Sequence, residues 1–228
     1  YGQTRVDGRG TLSRNRTDVD SYQATLYGIY HGDPWYVQSH VGYAFQQFDA
    51  RRSVNVGALS ETPTADFDGD VFSVGASAGY PLNIGDVLFT PSVSLDYVQS
   101  RQDAYTETGA PTTALSVNEN RDESLKAGLL ARASKSYELD GGGKISPEFR
   151  LGWFHEMKAD APNSVSQFAF GSSPFTTRGA TPARDSINLG AGLKFLDVDG
   201  FSGEIHYDSE FRDRYLGNTL TIKERWQF

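Results

Sequence analysis

The feature that most limits what this chain can fold into is a two-residue alternation of apolar and polar side chains. It persists along most of the length, and helical signals are nearly absent. Tyr22, Ala24, Leu26, Gly28 and Tyr30 alternate with Gln23, Thr25, Tyr27 and His31, with Ile29 breaking the polar side. Phe72, Val74, Ala76, Ala78 and Tyr80 alternate with Ser73, Gly75, Ser77 and Gly79. Leu125, Ala127, Leu129, Ala131 and Ala133 stand against Lys126, Gly128, Arg132 and Ser134. Two more apolar lines follow: Ile187, Leu189, Ala191, Leu193 and Phe195, then Phe201, Gly203, Ile205, Tyr207 and Phe211. Side chains at i, i+2 and i+4 share one face of a strand, so each segment has one apolar face and one polar or small face. A helical membrane protein is excluded, because no stretch approaches the ~18 consecutive apolar residues of a spanning helix. An aromatic content of 13% argues equally against disorder.

Two all-β folds use such strands. A soluble sandwich or small barrel turns the apolar face inward, whereas a membrane barrel turns it out to lipid and keeps a polar interior. The segments run about 10 to 13 residues, beyond the ~5–6 typical of soluble strands and suited to a tilted bilayer crossing. Their apolar faces are rich in Ala, Gly and single aromatics, thin material for a close-packed core. The opposite faces carry Lys126, Arg132, Glu148, Arg150, Glu204, Asp208 and Glu210. The pattern therefore predicts an antiparallel outer-membrane β-barrel, with Leu125, Leu129, Ile187 and Leu189 facing outward. Asp96 joins the seven charged residues as pore-lining on the polar parity.

The connections support this reading. Short turns are expected at His31-Gly32-Asp33-Pro34, Asn83-Ile84-Gly85-Asp86, Asp140-Gly141-Gly142-Gly143 and Asp197-Val198-Asp199-Gly200. Long polar connections are expected over residues 9–20, 49–69, 101–122 and 158–184, and outer-membrane barrels alternate tight and long connections in this way. The last connection, Arg212 to Gly217, is short although it falls on the long side. Ten strands result: Tyr1 to Asp7, then 21–31, 35–48, 69–81, 87–100, 122–137, 143–156, 184–196, 201–212 and 217–228. One domain covers residues 1–228, with no linker or solenoid repeat. The first strand is incomplete, and Tyr1-Gly2-Gln3-Thr4-Arg5 reads as mid-element sequence rather than a signal peptide. With 21 Lys+Arg against 29 Asp+Glu the net charge is −8, which argues against a nucleic-acid partner. Without cysteine there is no disulfide framework, thiolate metal site or cysteine nucleophile.

Several ordered stretches carry a resemblance. Asp49-Ala50-Arg51-Arg52 closes a strand. Asp66-Phe67-Asp68-Gly69-Asp70 runs on through Phe72 and Gly75 to Gly79-Tyr80-Pro81-Leu82. Phe89-Thr90-Pro91 precedes Tyr105-Thr106-Glu107-Thr108-Gly109-Ala110. Pro147-Glu148-Phe149-Arg150 comes with Trp153, His155 and Glu156, Ala183-Arg184-Asp185 enters the next strand, and Trp226-Gln227-Phe228 closes the chain. Together, in this order, they resemble the C-terminal translocator (β) domain of bacterial autotransporters, the type V secretion proteins. The resemblance implies a twelve-stranded barrel in the outer membrane of a Gram-negative bacterium, spanned by a pore helix that leads from an N-terminal passenger. About ten of those strands fall in this chain, so the passenger, the pore helix and the first two strands are expected to lie outside it. The implied role is to anchor the passenger and help export it to the cell surface, with outer-membrane lipid, the passenger, the pore helix and the β-barrel assembly machinery as partners. Trp226 and Phe228 resemble the assembly signal that this machinery reads. Glu224 departs from the family, an acid on the parity that faces lipid.

No catalytic motif is present: HExxH, G-x-S-x-G and a phosphate loop are all missing. The reading is therefore non-enzymatic, without cofactor or metal. His206, Asp208 and Glu210, with Glu204 before them, share the polar side of one strand. Ten-stranded outer-membrane proteases of the omptin type pair a histidine with carboxylates, but at the outer rim, whereas this set runs down a strand interior and reads as a balanced pore wall. His155 beside Trp153 reads as an interfacial girdle position. Asp66, Asp68 and Asp70 read as solvated loop acids in preference to a calcium site. An outer-membrane enzyme of the omptin type and a porin-like channel are the alternatives.

Overall fold

The computed structural model describes residues 1–9, 13–140, 142–198 and 201–226. The strands are β1 (Gly2–Arg9), β2 (Ser13–His31), β3 (Tyr36–Val56), β4 (Leu59–Glu61), β5 (Thr64–Gly79), β6 (Leu82–Ile84), β7 (Val87–Gln102), β8 (Tyr105–Thr106) and β9 (Leu115–Val117). Then come β10 (Asn120–Ser134), β11 (Tyr137–Glu138), β12 (Lys144–Glu156), β13 (Asn163–Phe168), β14 (Phe175–Arg178), β15 (Asp185–Val198), β16 (Phe201–Arg212) and β17 (Tyr215–Trp226). Ten of them form an antiparallel meander in the order β1-β2-β3-β5-β7-β10-β12-β15-β16-β17, and β4, β6 and β11 extend its hairpins. The sheet is curled into a half-barrel. Among the described residues β1 and β17 are its two edges, and no residue is helical.

The register fixes two faces. Leu26, Val41, Val74, Tyr97 and Leu125 stand directly opposite one another on successive strands. Leu129, Trp153, Ile187, Phe211 and Leu216 carry the same face on to the other edge. Burial along β12 is the reverse of a soluble protein: Phe149 and Leu151 are 66% and 54% exposed, while Glu148 between strands is 3% exposed. An antiparallel sheet with an apolar side that covers nothing in its own fold needs an apolar medium around it. A curl that crowds the opposite side buries charges there.

Two of the expected long connections are largely strand. The described residues of 9–20 and most of 49–69 extend β1, β2, β3 and β5 well past the apolar belt, β3 reaching 21 residues. Their side chains are mostly polar, with apolar residues such as Val54 and Phe67 scattered among them, so the two-residue period loses its contrast and the sequence reads as loop. What pairs them is cross-strand bonding: Arg5 Nε lies 2.6 Å from Asp18, and the Tyr1 hydroxyl and Gln3 amide donate to Asp20 at 2.7 and 2.9 Å. The Arg5 guanidinium, followed by Arg16, holds the Asp18 carboxyl below the usual carboxylate range. Asp66, Asp68 and Asp70 are also on a strand, β5, rather than in a loop. Among the described residues no three metal-binding side chains converge.

The connections 101–122 and 158–184 hold a second, four-stranded sheet, ordered β14-β13-β9-β8. Each loop contributes half of it, and β9 joins β13 through Val117 and Ser166. A bridge between Thr64 and Thr108 hangs the sheet from β5, and Tyr105 stacks at 4.1 Å on Phe67, itself 4.9 Å from Phe48. Glu107, 9% exposed, takes Arg52 Nε at 3.0 Å, Arg52 Nη2 at 2.5 Å and the Leu115 amide at 2.9 Å. Glu61 accepts from the Thr113 amide and hydroxyl at 2.9 and 2.6 Å, chiefly the hydroxyl lowering its pKa. Ala65, Ala110, Ala114, Val117 and Ala159 are buried around this module, so most of the buried apolar side chains described lie at this end and not inside the curled sheet.

Glu123, at the loop end of β10, bonds to Lys158 and to the Tyr97 hydroxyl at 2.9 Å. Lys158 and then Tyr97 draw its pKa from 4.5 to about 2. A carboxylate with a lowered folded pKa contributes stability fully present above pH 4.5 and lost as pH falls toward 2. Hydrogen exchange over residues 157–184, corrected for intrinsic rates, should therefore rise across that interval, and Lys158→Met should remove the rise.

Candidate functional site: the charged concave face

Asp96, Lys126, Arg132, Glu148, Arg150, Glu204, Asp208 and Glu210 all occupy the face opposite the apolar belt. The register pairs Asp96 with Lys126, and runs Arg132, Arg150, Gly190 and Asp208 in one line. One step along, Glu148, Gly192, His206 and Thr221 form a second line, and Lys194, Glu204 and Lys223 a third.

Glu148 is the hub. Lys194 Nζ reaches its Oε2 at 2.9 Å, while Arg132 Nε and Arg150 Nε lie 3.4 and 3.7 Å from Oε1. Arg150 also donates to Asp208 at 2.8 Å. Glu204 takes Lys223 at 2.7 Å and faces His206 Nε2 at 3.3 Å, and Glu210 takes Arg212 Nε at 2.7 Å. Around these side chains is a cavity of about 310 Å³.

The glycines explain how this network crosses strands. Arg150 and Asp208 are separated by β15 yet touch, because Gly190 lies between them. A Cβ there would stand 2.3 Å from Asp208 Oδ1 and 3.1 Å from Arg150 Nε. At Gly192 the His206 ring takes up the space, a Cβ there falling 2.0 Å from His206 Nδ1. Gly190 thus converts two nearest-neighbour steps into one direct contact. Lys194, Lys223 and the two glycines were not singled out from sequence, although the parity set by Leu189 and Leu193 already places Gly190, Gly192 and Lys194 on the polar side.

His206, Asp208, Glu210 and Glu204 descend β16 on this face. His206 is 5% exposed against Gly192, and each carboxylate is held by a cation of the wall. His155 and Trp153 lie on the apolar face, where the Trp153 indole N–H donates to Asp185 at 3.1 Å and His155 Nδ1 lies 3.0 Å from the same oxygen. Trp226 is on that face too, 4.9 Å from Phe201, and Glu224 stands beside it opposite Gly203. Phe228 lies outside the described residues.

A curled antiparallel meander, apolar on its outer side and charged within, defines a transmembrane β-barrel protein of an outer membrane. Residues 1–208 match the family model described as the autotransporter β-domain, and the chain belongs to that family. This places it in the outer membrane of a Gram-negative bacterium. It is similar to the translocator domain of the autotransporter NalP from Neisseria meningitidis, with a TM-score of 0.70 at 17% identity over 99% of this chain and 73% of that one. The β domain of the Bordetella autotransporter BrkA matches with a TM-score of 0.60 at 15% identity, over 99% and 88%. Among curated proteins, an extracellular serine protease of Serratia marcescens is 22% identical over 100% of this chain and 21% of its own length. Outer membrane protein B of Rickettsia prowazekii is 23% identical over 94% and 14%. The chain therefore spans about a fifth of these relatives or less.

Proposed function

We propose that this chain anchors an N-terminal passenger in the outer membrane and conducts it to the surface, acting without catalysis of its own. The observation that carries the reading is the inverted distribution of side chains, an exposed apolar belt around a buried, glycine-spaced charge network. A passage for polypeptide needs a polar wall, because a backbone in transit keeps its N–H and C=O groups unpaired. Asp96, Lys126, Arg132, Glu148, Arg150, Glu204, Asp208 and Glu210 are the pore lining in this reading, packing around the pore helix and the passenger linker. Glu148 Oε1, Arg150 Nε and His206 Nδ1 are buried without hydrogen-bond partners among the described residues, which supports a partner rich in complementary polar groups. Trp226 and Phe228 serve as the signal read by the β-barrel assembly machinery, and the apolar belt contacts outer-membrane lipid. The serine-protease and esterase activities in the names of two relatives are ascribed to the parts of those proteins that this chain does not span.

Reversing Arg150 to glutamate tests the lumenal role. It sets a third acid beside Glu148 and Asp208, so surface display of the passenger should fall several-fold while folded barrel remains in the membrane fraction. Arg150→Lys should retain most of the display. Unchanged display with Arg150→Glu would remove the lumenal assignment.

A further inference from the structure

The lipid-facing side of the sheet is not evenly ridged. An open apolar groove of about 580 Å³ runs across five strands between two register lines, Phe89, Ala133, Phe149, Ala191 and Tyr207 on one side and Ala131, Leu151, Leu189 and Ser209 on the other. At the usual strand spacing that is about 19 Å, the length of an extended acyl chain of roughly fourteen to sixteen carbons. The groove also climbs. Phe89 lies just past the Gly85-Asp86 turn at the short-turn end, whereas Tyr207 and Ser209 approach the opposite turn at Asp213-Arg214.

At that upper end the apolar face is interrupted. Asn218 Oδ1 accepts from the Tyr207 hydroxyl at 2.8 Å and from Ser209 Oγ at 3.0 Å. All three residues belong to the outer face, Ser209 opposite Asn218 and Tyr207 opposite Leu220. The Asn218 side-chain NH₂ has no partner among the described residues. A polar group facing hydrocarbon is costly unless a hydrogen bond satisfies it. The groove supplies a chain-shaped apolar bed, and the asparagine a donor at the end nearer the cell exterior. Both lie within the belt that membrane lipid covers.

We propose that the groove holds one acyl chain of an outer-leaflet lipopolysaccharide, with the chain's ester or amide carbonyl accepting from Asn218 Nδ2. The polar end of the site lies toward the leaflet built from that glycolipid, and the hydrocarbon runs between the two register lines to Phe89. The inference rests on outer-membrane placement and not on passenger export, so its failure leaves the export reading intact.

The test uses the full-length protein, passenger included, extracted from outer membranes of a rough strain and exchanged into lipid-free detergent. Native mass spectrometry then counts retained lipid on chains whose heat-modifiable mobility shows them folded. Wild type should keep one lipopolysaccharide. Ala191→Phe fills the groove and Asn218→Leu removes the donor, and each should lower retention roughly tenfold, as expected for loss of the buried chain or of its hydrogen bond. Asn218→Asp, similar in size but without the donor, should behave as Asn218→Leu, and Val41→Phe, elsewhere on the belt, should match wild type. Lipid-free wild type, equal retention in all variants, or retention of phosphatidylethanolamine instead would overturn the assignment.

Discussion

Glu148→Leu should be the most damaging single substitution in the membrane-spanning sheet, lowering the temperature at which the heat-modifiable form is lost by more than any change on the apolar belt. Arg132, Arg150 and Lys194 converge on this one carboxylate, which is 3% exposed. Removing it leaves three cations, 31–48% exposed, without their shared acid, and solvent screening holds the cost below the roughly 3–5 kcal/mol of a fully buried pair. Adding Lys194→Met to Glu148→Leu should restore part of the loss, because replacing both members of a buried pair by apolar groups is often near neutral. A melting profile of Glu148→Leu equal to that of wild type would show that the hub is solvated and structurally dispensable.

The second large effect is expected at the C-terminal strand. Leu220, Ile222 and Trp226 line its outer face, and Thr219, Thr221 and Lys223 its inner one. An exposed strand edge recruits another sheet through backbone hydrogen bonds, and alternate side chains give selectivity. Deleting Phe228 should leave only a small fraction of the chain inserted, assayed as heat-modifiable barrel in the membrane fraction, and Trp226→Ala should be intermediate. Glu224→Leu should be neutral or beneficial, since it removes an acid from the outer face. Normal insertion without Phe228 would leave the two aromatics as interfacial residues alone.

How far the sequence can be read depends on contrast between the two faces. Where one face meets lipid and the other a polar interior, as at Leu125 to Ala133 beside Lys126 and Arg132, strand, parity and facing all follow from alternation. Where few apolar residues mark either face, as in residues 13–20 and much of 49–69, the alternation vanishes although the hydrogen-bond ladder continues. Those strands are maintained by pairs such as Arg5 with Asp18, which only register reveals. The loop sheet is harder still, because β9 and β13 are 48 residues apart from Val117 to Val165 and meet through a backbone ladder that no local pattern announces. At the charged face, eight residues were legible by parity alone. The direct contact of Arg150 with Asp208 was not, since it depends on the absent side chain at Gly190, and a glycine in a strand more often signals a bulge or a weak point.

The two-loop origin of the small sheet imposes an order on biogenesis. β8 and β9 are delivered by the β7–β10 connection, and β13 and β14 by the β12–β15 connection. Neither half can complete its ladder until both segments have crossed to the same side. The β9–β13 ladder therefore forms only once the β10–β12 hairpin is in place, whereas the Arg52–Glu107 pair needs the first connection alone. Once it closes, the β9–β13 ladder ties the two connections to each other across the β10–β12 hairpin.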